Sequence, residues 1–246
     1  MHTVFFDLDA TLLPMNQDEF IRSYISRLKG VMADLIDPPG HFESALEKSI
    51  MALLRNDGVM SNKDRFFKTF THITGLEFAV IEKTIHSFYQ NEYSSLDGIF
   101  EPDPHAVACV KALRKKGYMT VLATNPLYPR MATLMRLSWA GLEPEDFDYI
   151  STYENSSYCK PNLKYYEEIL QRIDRKATDC LMVGNDVIDD MCVSAIGMET
   201  FLLDTYLING DKEDLTRFPS GNSVDLLKYI DSLPNLKGRK KDEIIY

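Results

Sequence analysis

His2-Thr3-Val4-Phe5-Phe6-Asp7-Leu8-Asp9-Ala10-Thr11 is an apolar, β-rich run that ends in two carboxylates. A short run without polar alternation is what a strand covered on both faces requires, as in a parallel sheet. Two acids one residue apart at the end of such a strand are costly unless something positive lies between or near them. The period of two along a strand puts Asp7 and Asp9 on one face, although the chain is expected to leave the extended conformation here. A hard cation with oxygen ligands would compensate the pair, and magnesium is the default choice.

Similar runs recur at Met119-Thr-Val-Leu-Ala123, around Asp148-Tyr-Ile-Ser151, at Cys180-Leu-Met-Val183 and at Thr200-Phe-Leu-Leu203. Between them lie amphipathic stretches of helical length, Pro104 to Lys116, Tyr128 to Trp139 and Pro161 to Ile173, with a shorter one from Asp189 to Ile196. Strand alternating with helix predicts βαβ units and a mostly parallel, doubly wound α/β sheet with helices on both faces.

Gln17 to Glu92 break that alternation. Asp18 to Ile36, Phe42 to Arg55, Lys63 to Ile73 and Glu77 to Tyr89 carry apolar residues at three- and four-residue spacing. They are separated by Pro38-Pro39-Gly40, Asp57-Gly58 and Thr74-Gly75, and no buried strand lies among them. The chain therefore divides into a Rossmann-like core, residues 1–14 and 100–246, and an inserted all-helical cap, residues 15–99, with Ser95 to Pro104 as the return linker. Emerging just after the first strand, the cap should hang over the carboxyl ends of the strands, where ligands bind in open α/β sheets. Past Leu203 the chain turns polar and offers one further helix, Ser223 to Leu233. The charged tail, the last ten residues, is expected to be disordered.

With 45% hydrophobic residues in 246, the chain can bury a full core. Its 37 acidic and 27 basic side chains leave a formal charge of −10. That charge opposes long-range attraction to nucleic acid or anionic lipid. No signal-peptide pattern precedes Asp7, and no run of about eighteen apolar residues offers a membrane span, so neither export nor membrane insertion is expected. The cysteines, Cys109, Cys159, Cys180 and Cys192, stand singly, which reads as thiols in a reducing cytoplasm rather than disulfides or a zinc site.

Three further places set polar groups at the ends of predicted strands. Thr124-Asn125 follows Leu122-Ala123 and offers a hydroxyl and backbone amides to an anion. Lys160, just before Pro161-Asn162 and a helix, supplies a point charge for phosphate. Alone it would read as a solvated lysine. Gly184-Asn185-Asp186, followed by Asp189 and Asp190, adds carboxylates after the Leu181-Met-Val183 strand.

Together these stretches resemble the haloacid dehalogenase superfamily, whose four motifs occur in order. DxDxT is Asp7-Leu-Asp9-Ala-Thr11, the hydroxyl residue is Thr124, the lysine is Lys160, and the acidic motif is Gly184-Asn-Asp186-Val-Ile-Asp-Asp190. The resemblance covers residues 1 to 14 and 100 to 204; the insertion matches the family's helical cap in location and type. It implies a magnesium-dependent phosphomonoesterase acting on a small phosphorylated metabolite. In it Asp7 carries the phosphoryl group, Asp9 protonates the leaving oxygen and then activates water, and Thr11 closes the catalytic motif. Thr124, Asn125 and Lys160 hold the phosphoryl oxygens. Asp7 and Asp186 side chains with the Asp9 carbonyl hold magnesium, and Asp190 binds it through water or steadies the lysine.

Two positions depart from the family pattern. Ala10 stands where glycine is common, so the turn after Asp9 is expected to avoid a positive φ. Asn185 separates Gly184 from the acid, leaving Asp186, Asp189 and Asp190 as rival ligands; Asp186 is the choice, with Asp189 on a helix surface. In the cap, Asn16 and Gln17 are the candidates for substrate contact, while Arg55, Arg65 and Lys68 read as solvated. Family dehalogenases lack the acid two residues after the nucleophile, so Asp9 favours phosphate ester hydrolysis. A phosphomutase using the same aspartate is the alternative within the enzyme class, and a catalytically idle phosphate-binding or regulatory protein the alternative outside it.

Overall fold

A computed structural model describes residues 1–36, 39–97, 100–210 and 212–236, with backbone only at 39 and 40. Pro38 and the charged tail beyond Leu236 lie outside the described residues. Strands β1 (Thr3–Phe6), β2 (Met119–Leu122), β3 (Tyr149–Ile150), β4 (Cys180–Gly184), β5 (Glu199–Leu203) and β6 (Ser220–Gly221) form one sheet. It is parallel throughout, in the order β3-β2-β1-β4-β5-β6. This is the doubly wound α/β class expected. The two-residue β6, pairing Leu202 with Ser220, has no counterpart in the sequence reading, because a strand that short carries no periodic signal.

The apolar runs form strands because both of their faces are covered. Val4 and Phe6 join one core with Cys109 and Val110 of helix α5 (Pro104–Lys116), Leu137 of α6 (Arg130–Trp139) and Leu226 of α8 (Ser223–Ser232). Phe5, Val121 and Met182 join the other with Tyr165 and Ile169 of α7 (Leu163–Arg172). Phe5 and Phe6 are fully buried, each contributing roughly 1.5–3 kcal/mol relative to exposure. The helix boundaries have local causes. Asp103 accepts the His105 amide at the start of α5, and Gly117 closes it in the left-handed conformation at φ +86°.

Among the described residues from 17 to 96 the regular elements are helices: αI (Gln17–Met32), αII (Pro39–Leu54), αIII (Asn62–Thr74) and αIV (Phe78–Phe88), named separately from the core helices. After αIV the chain continues through a wide turn, Tyr89–Tyr93, and a tight one, Ser94–Leu96, so the expected linker from Ser95 begins later. Phe20 of αI lies in an aromatic cluster with Tyr24, Tyr93, Phe100 and Tyr128, which seats the helical segment against the sheet's carboxyl edge. No described helix is long and apolar enough to cross a membrane. Cys109, Cys159 and Cys180 are buried free thiols and Cys192 is half-buried.

Register brings the ends of the central strands level. Phe6 pairs with Leu122 on one side and Val183 on the other, so the residues after each strand emerge together. Because β2 and β4 flank β1 from opposite sides, this edge is the topological switch point of the sheet.

The turn after Asp9 corrects an expectation. Ala10 has φ +62°, in the left-handed region, where it was expected to avoid a positive φ. The amides of Thr11, Leu12 and Leu13 all turn back to the Leu8 carbonyl, and the Ala10 amide reaches the Leu13 carbonyl at 2.8 Å. These bonds hold the turn against a cost of roughly 1–2 kcal/mol for a side chain at such a φ. Ala10→Gly should therefore change unfolding free energy by less than about 1 kcal/mol, since lost strain offsets lost chain stiffness and one methyl. Ala10→Val should destabilise by about 2–3 kcal/mol. Urea melts of the three proteins check this; equal losses for both variants would rule out the left-handed turn.

Candidate active site

At the switch point lies a cleft of about 230 Å³ whose floor carries Asp7, Asp9, Thr124, Asn125, Lys160 and Asp186. Five of these come from loops after β1, β2 and β4, and Lys160 from the loop between β3 and α7. The opposite wall is mostly apolar: Met15, Phe20 and Ile21 from the start of the helical segment, with Leu127 and Tyr128 from the core.

Lys160 is the centre of the floor. Its ammonium donates to Asp7 Oδ1 at 2.8 Å and to Asp190 Oδ1 at 2.6 Å, with only 2% of its side chain exposed. Burial works to lower its pKa, but Asp190 and then Asp7 outweigh burial, and the ammonium is held well above its ordinary value. Asp190 is pushed up by burial and pulled down by the same lysine. Asp7 Oδ2 accepts no hydrogen bond from a described residue and faces the cleft.

Asp190 also organises the loop after β4. Its Oδ2 accepts the amides of Asn185 at 3.1 Å and Asp186 at 3.0 Å. It packs so closely on Gly184 that a Cβ there would come within 2.1 Å of Asp190 Oδ2. Asp186 Oδ1 accepts the amides of Ile188 at 2.8 Å and Asp189 at 2.9 Å, no described residue donates to Oδ2, and Asp186 lines the cleft. These side-chain bonds hold residues 187–190 in a turn, so the expected helix from Asp189 is instead a tight one confined to Met191–Ile196. Asp189, expected on a helix surface, lines the cleft and accepts from Asn125 Nδ2 at 3.2 Å. Burial pushes its carboxyl up to about 6.

Sequence reasoning missed Arg136. Fully buried on α6, it pairs through Nη1 with Asp9 Oδ2, and its guanidinium lies 4.2 Å from the centre of the Tyr128 ring. Burial raises the Asp9 pKa above its usual value, and Arg136 opposes the rise. Asp9 Oδ1 is buried with no partner among the described residues. The positive charge that the acidic pair demands is thus already supplied, by Lys160 at Asp7 and by Arg136 at Asp9. No spacing rule marks an arginine in an amphipathic helix as buried; the one signal is that an acid at Asp9 needs a cation.

The remaining candidates fall into place around these two cations. Thr124 is buried beneath the cleft, with its carbonyl accepting from Ser151 Oγ and Tyr165 Oη, each at 2.8 Å. Thr11 does not line the cleft; its hydroxyl donates to Asn185 Oδ1 at 2.9 Å and ties the turn after Asp9 to the loop after β4. Gln17 lines the cleft and donates to the Asp9 carbonyl at 3.1 Å, whereas Asn16 caps αI by accepting the Glu19 amide. Arg55 and Lys68 are exposed, and Arg65 pairs with Asp57, all away from the cleft.

The donor set fits a hard divalent cation in a limited way. Among the described residues no three His, Cys, Asp or Glu side chains are arranged to hold a metal. Asp9 is turned to Arg136, and both oxygens of Asp190 are engaged. What is open is one oxygen each on Asp7 and Asp186, with the Asp9 carbonyl nearby in the chain, an oxygen-only set of the kind magnesium uses with water completing its shell.

Fold and cleft together define a class: a parallel α/β protein with a carboxylate centre at the switch point of its sheet. The model of the haloacid dehalogenase-like hydrolase family matches residues 1–191, and the chain belongs to that family. Among its relatives is a glyceraldehyde 3-phosphate phosphatase of Methanothermobacter thermautotrophicus, 26% identical over 240 residues, 96% of this chain and 98% of that one. A pyrophosphatase, PpaX, of Bacillus cereus is 26% identical over 76% of this chain and 75% of its own. A phosphatase of the family from Thermococcus onnurineus superposes with a TM-score of 0.57 at 18% identity, covering 96% of this chain and all of that one. The L-2-haloacid dehalogenase of Xanthobacter autotrophicus gives 0.55 at 12% identity, covering 95% and 99%. Those two likenesses concern the fold.

Removing the shared cation should leave Asp7 and Asp190 buried and uncompensated. Lys160→Met should lose about 3–5 kcal/mol of stability at pH 7. Without the lysine the Asp190 carboxyl is raised in the folded state above its unfolded value. Stability from such a group is present below the unfolded pKa and lost as pH rises through the folded one, so the deficit against wild type should shrink on acidification. Urea melts of both proteins at pH 7 and pH 5 check this, and a deficit that grows at pH 5 would contradict it.

Proposed function

We propose that the chain is a magnesium-dependent phosphomonoesterase that works through a phosphorylated Asp7. The observation that carries this reading is the pairing of two differently held acids: Asp7 with one oxygen on Lys160 and the other open, and Asp9 with one oxygen on Arg136 and the other unpartnered. An oxygen of Asp7 attacks phosphorus as the bond from phosphorus to the ester oxygen breaks, and Asp9 delivers a proton to the departing alkoxide. Water then attacks the phosphoryl-aspartate, Asp9 takes its proton back, and phosphate leaves with Asp7 restored. Burial of Asp9 favours the protonated form needed first, and Arg136 favours the ionised form needed second.

The other groups hold charge and exclude water. Lys160 and the Thr124-Asn125 segment receive the phosphoryl oxygens, whose charge spreads in the transition state. Asp7, Asp186 and the Asp9 carbonyl would hold magnesium, which when bound neutralises phosphoryl charge and orients the group for attack. The helical segment, residues 15–99, acts as a cap whose Phe20 and Ile21 shield the reacting centre. A glyceraldehyde 3-phosphate phosphatase among the relatives supports a phosphate monoester as substrate. The family's dehalogenase alternative is disfavoured by Asp9, which has a use only when a leaving oxygen needs a proton.

Hydrolysis of an aryl phosphate should require magnesium, stop in excess chelator and be inhibited by calcium, whose larger coordination shell misplaces Asp7. Asp7→Asn and Asp9→Asn should each lower kcat by at least about a thousandfold, or roughly 4 kcal/mol. Acid-quenched wild type should carry a phosphate on Asp7. Millimolar magnesium should raise the Tm of wild type more than that of Asp186→Asn, a readout independent of turnover. Full activity of Asp7→Asn would sink the nucleophile assignment, and equal magnesium shifts would sink the ligand.

A further inference from the structure

We infer that the site selects phosphate esters of small, uncharged, hydroxyl-bearing alcohols and rejects esters whose leaving group carries a second negative charge. This inference rests on the phosphomonoesterase reading and adds the chemistry of the leaving group. Its basis is the sign of the described residues that line the cleft beyond the phosphoryl end.

Among the described residues the cleft has no uncommitted cation for a second anion. Lys160 is the basic residue lining it, and its ammonium is spent on Asp7 and Asp190. Arg136 lies fully buried behind Asp9, paired with that acid and stacked on Tyr128. Five carboxylates line the cleft. With Asp9 protonated and the other four acids ionised, two side-chain cations and one divalent ion would leave no net positive charge, before the substrate's own phosphoryl group is counted. A carboxylate or second phosphate on the leaving group would meet like charge.

What the cleft does offer is hydrogen-bond acceptance. Asn125 gives its Nδ2 to Asp189 and keeps its Oδ1 buried out of reach of solvent, so the acceptor open to a ligand comes from Gln17. Gln17 gives its Nε2 to the Asp9 carbonyl, and no described residue donates to its Oε1. Gln17 Oε1 can accept from a hydroxyl group, whereas an ionised carboxylate has no hydrogen to give. Phe20, Ile21 and Leu127 supply an apolar wall for the carbon skeleton. A neutral polyol suits both the wall and the acceptor, whereas the carboxylate of an acid has no hydrogen to give and adds like charge.

The test compares glycerol 3-phosphate with 3-phosphoglycerate, two three-carbon esters that differ in a terminal hydroxymethyl against a carboxylate. With magnesium present, kcat/KM should favour the first by at least about tenfold, a difference of about 1.4 kcal/mol. Ile21→Lys places a cation on the αI wall at a position that is 42% exposed in wild type, and it should narrow that ratio at least about threefold. Titration calorimetry of the same two esters against Asp7→Asn reads the preference without turnover. Equal kcat/KM values, equal affinities in the calorimeter, or a ratio unmoved by Ile21→Lys would each overturn the inference. Absence of any hydrolysis, of aryl phosphate as well, would overturn the phosphomonoesterase reading, and the calorimetric ratio would still decide this one.

Discussion

The Lys160 ammonium, held between Asp7 and Asp190, is the interaction on which the rest of the site depends. Each partner comes from a different connection: Asp7 follows β1, Asp190 closes the turn after β4, and Lys160 precedes α7 on the far side of β3. One buried charge therefore joins three loops that sequence separates by as many as 183 positions, from Asp7 to Asp190. The parallel register makes this feasible, because Phe6, Leu122 and Val183 end level and aim their successors at one place. An acidic centre at the end of a buried strand has to be balanced, and a lysine reaching in from the β3 loop provides balance without occupying the open oxygen of Asp7.

A second balance, at Asp9, reaches deeper. Arg136 is the largest fully buried polar side chain, and Tyr93 and Tyr128 stand close enough to influence it. Burial alone would lower its pKa; Asp9 reverses that direction. The aromatic cluster also includes Phe20 and Tyr24 of αI, so the helical segment and the acid share one packed neighbourhood. Displacement of αI would therefore disturb the surroundings of Arg136 as well as the wall of the cleft. Asp7 and Asp9, two residues apart, end in unlike environments because one meets a lysine that it shares with Asp190 and the other a buried arginine.

Much of this was legible before any coordinates. The five apolar runs became strands because full burial on both faces writes itself as unbroken hydrophobicity, and the insertion read as helical because its apolar spacing is three and four. The polar residues at the strand ends were found by position, and Asp7, Thr124, Lys160 and Asp186 do assemble at one edge. Local chemistry that depends on distant partners was not legible. Ala10 adopts a positive φ because backbone bonds to Leu8 and Leu13 hold it there, against its own preference. Asp189 joins the cleft because Asp186 and Asp190 bind backbone amides and hold residues 187–190 in a turn ahead of the tight helix at Met191–Ile196. Arg136 looks like any solvated helix arginine until its helix is packed against Asp9.

Fold and chemistry part company at this last residue. The sheet superposes about as well on a dehalogenase as on a phosphatase, so the architecture is compatible with either reaction. In the proposed reaction Asp9 favours the phosphatase, and a carboxylate can sit at that position only if the surrounding protein tolerates its charge when it ionises. Arg136 provides that tolerance from α6, some 127 positions away in sequence, while leaving one oxygen of Asp9 without a partner. The acid and its buried arginine thus form one unit. Replacing Asp9 by an apolar residue would leave the guanidinium buried and unpaired, a cost of about 3–5 kcal/mol that an amide, which can still accept a hydrogen bond, would partly avoid. In the proposed reaction, the acid that serves the leaving group would thus depend on the packing of the core as well as on the cleft.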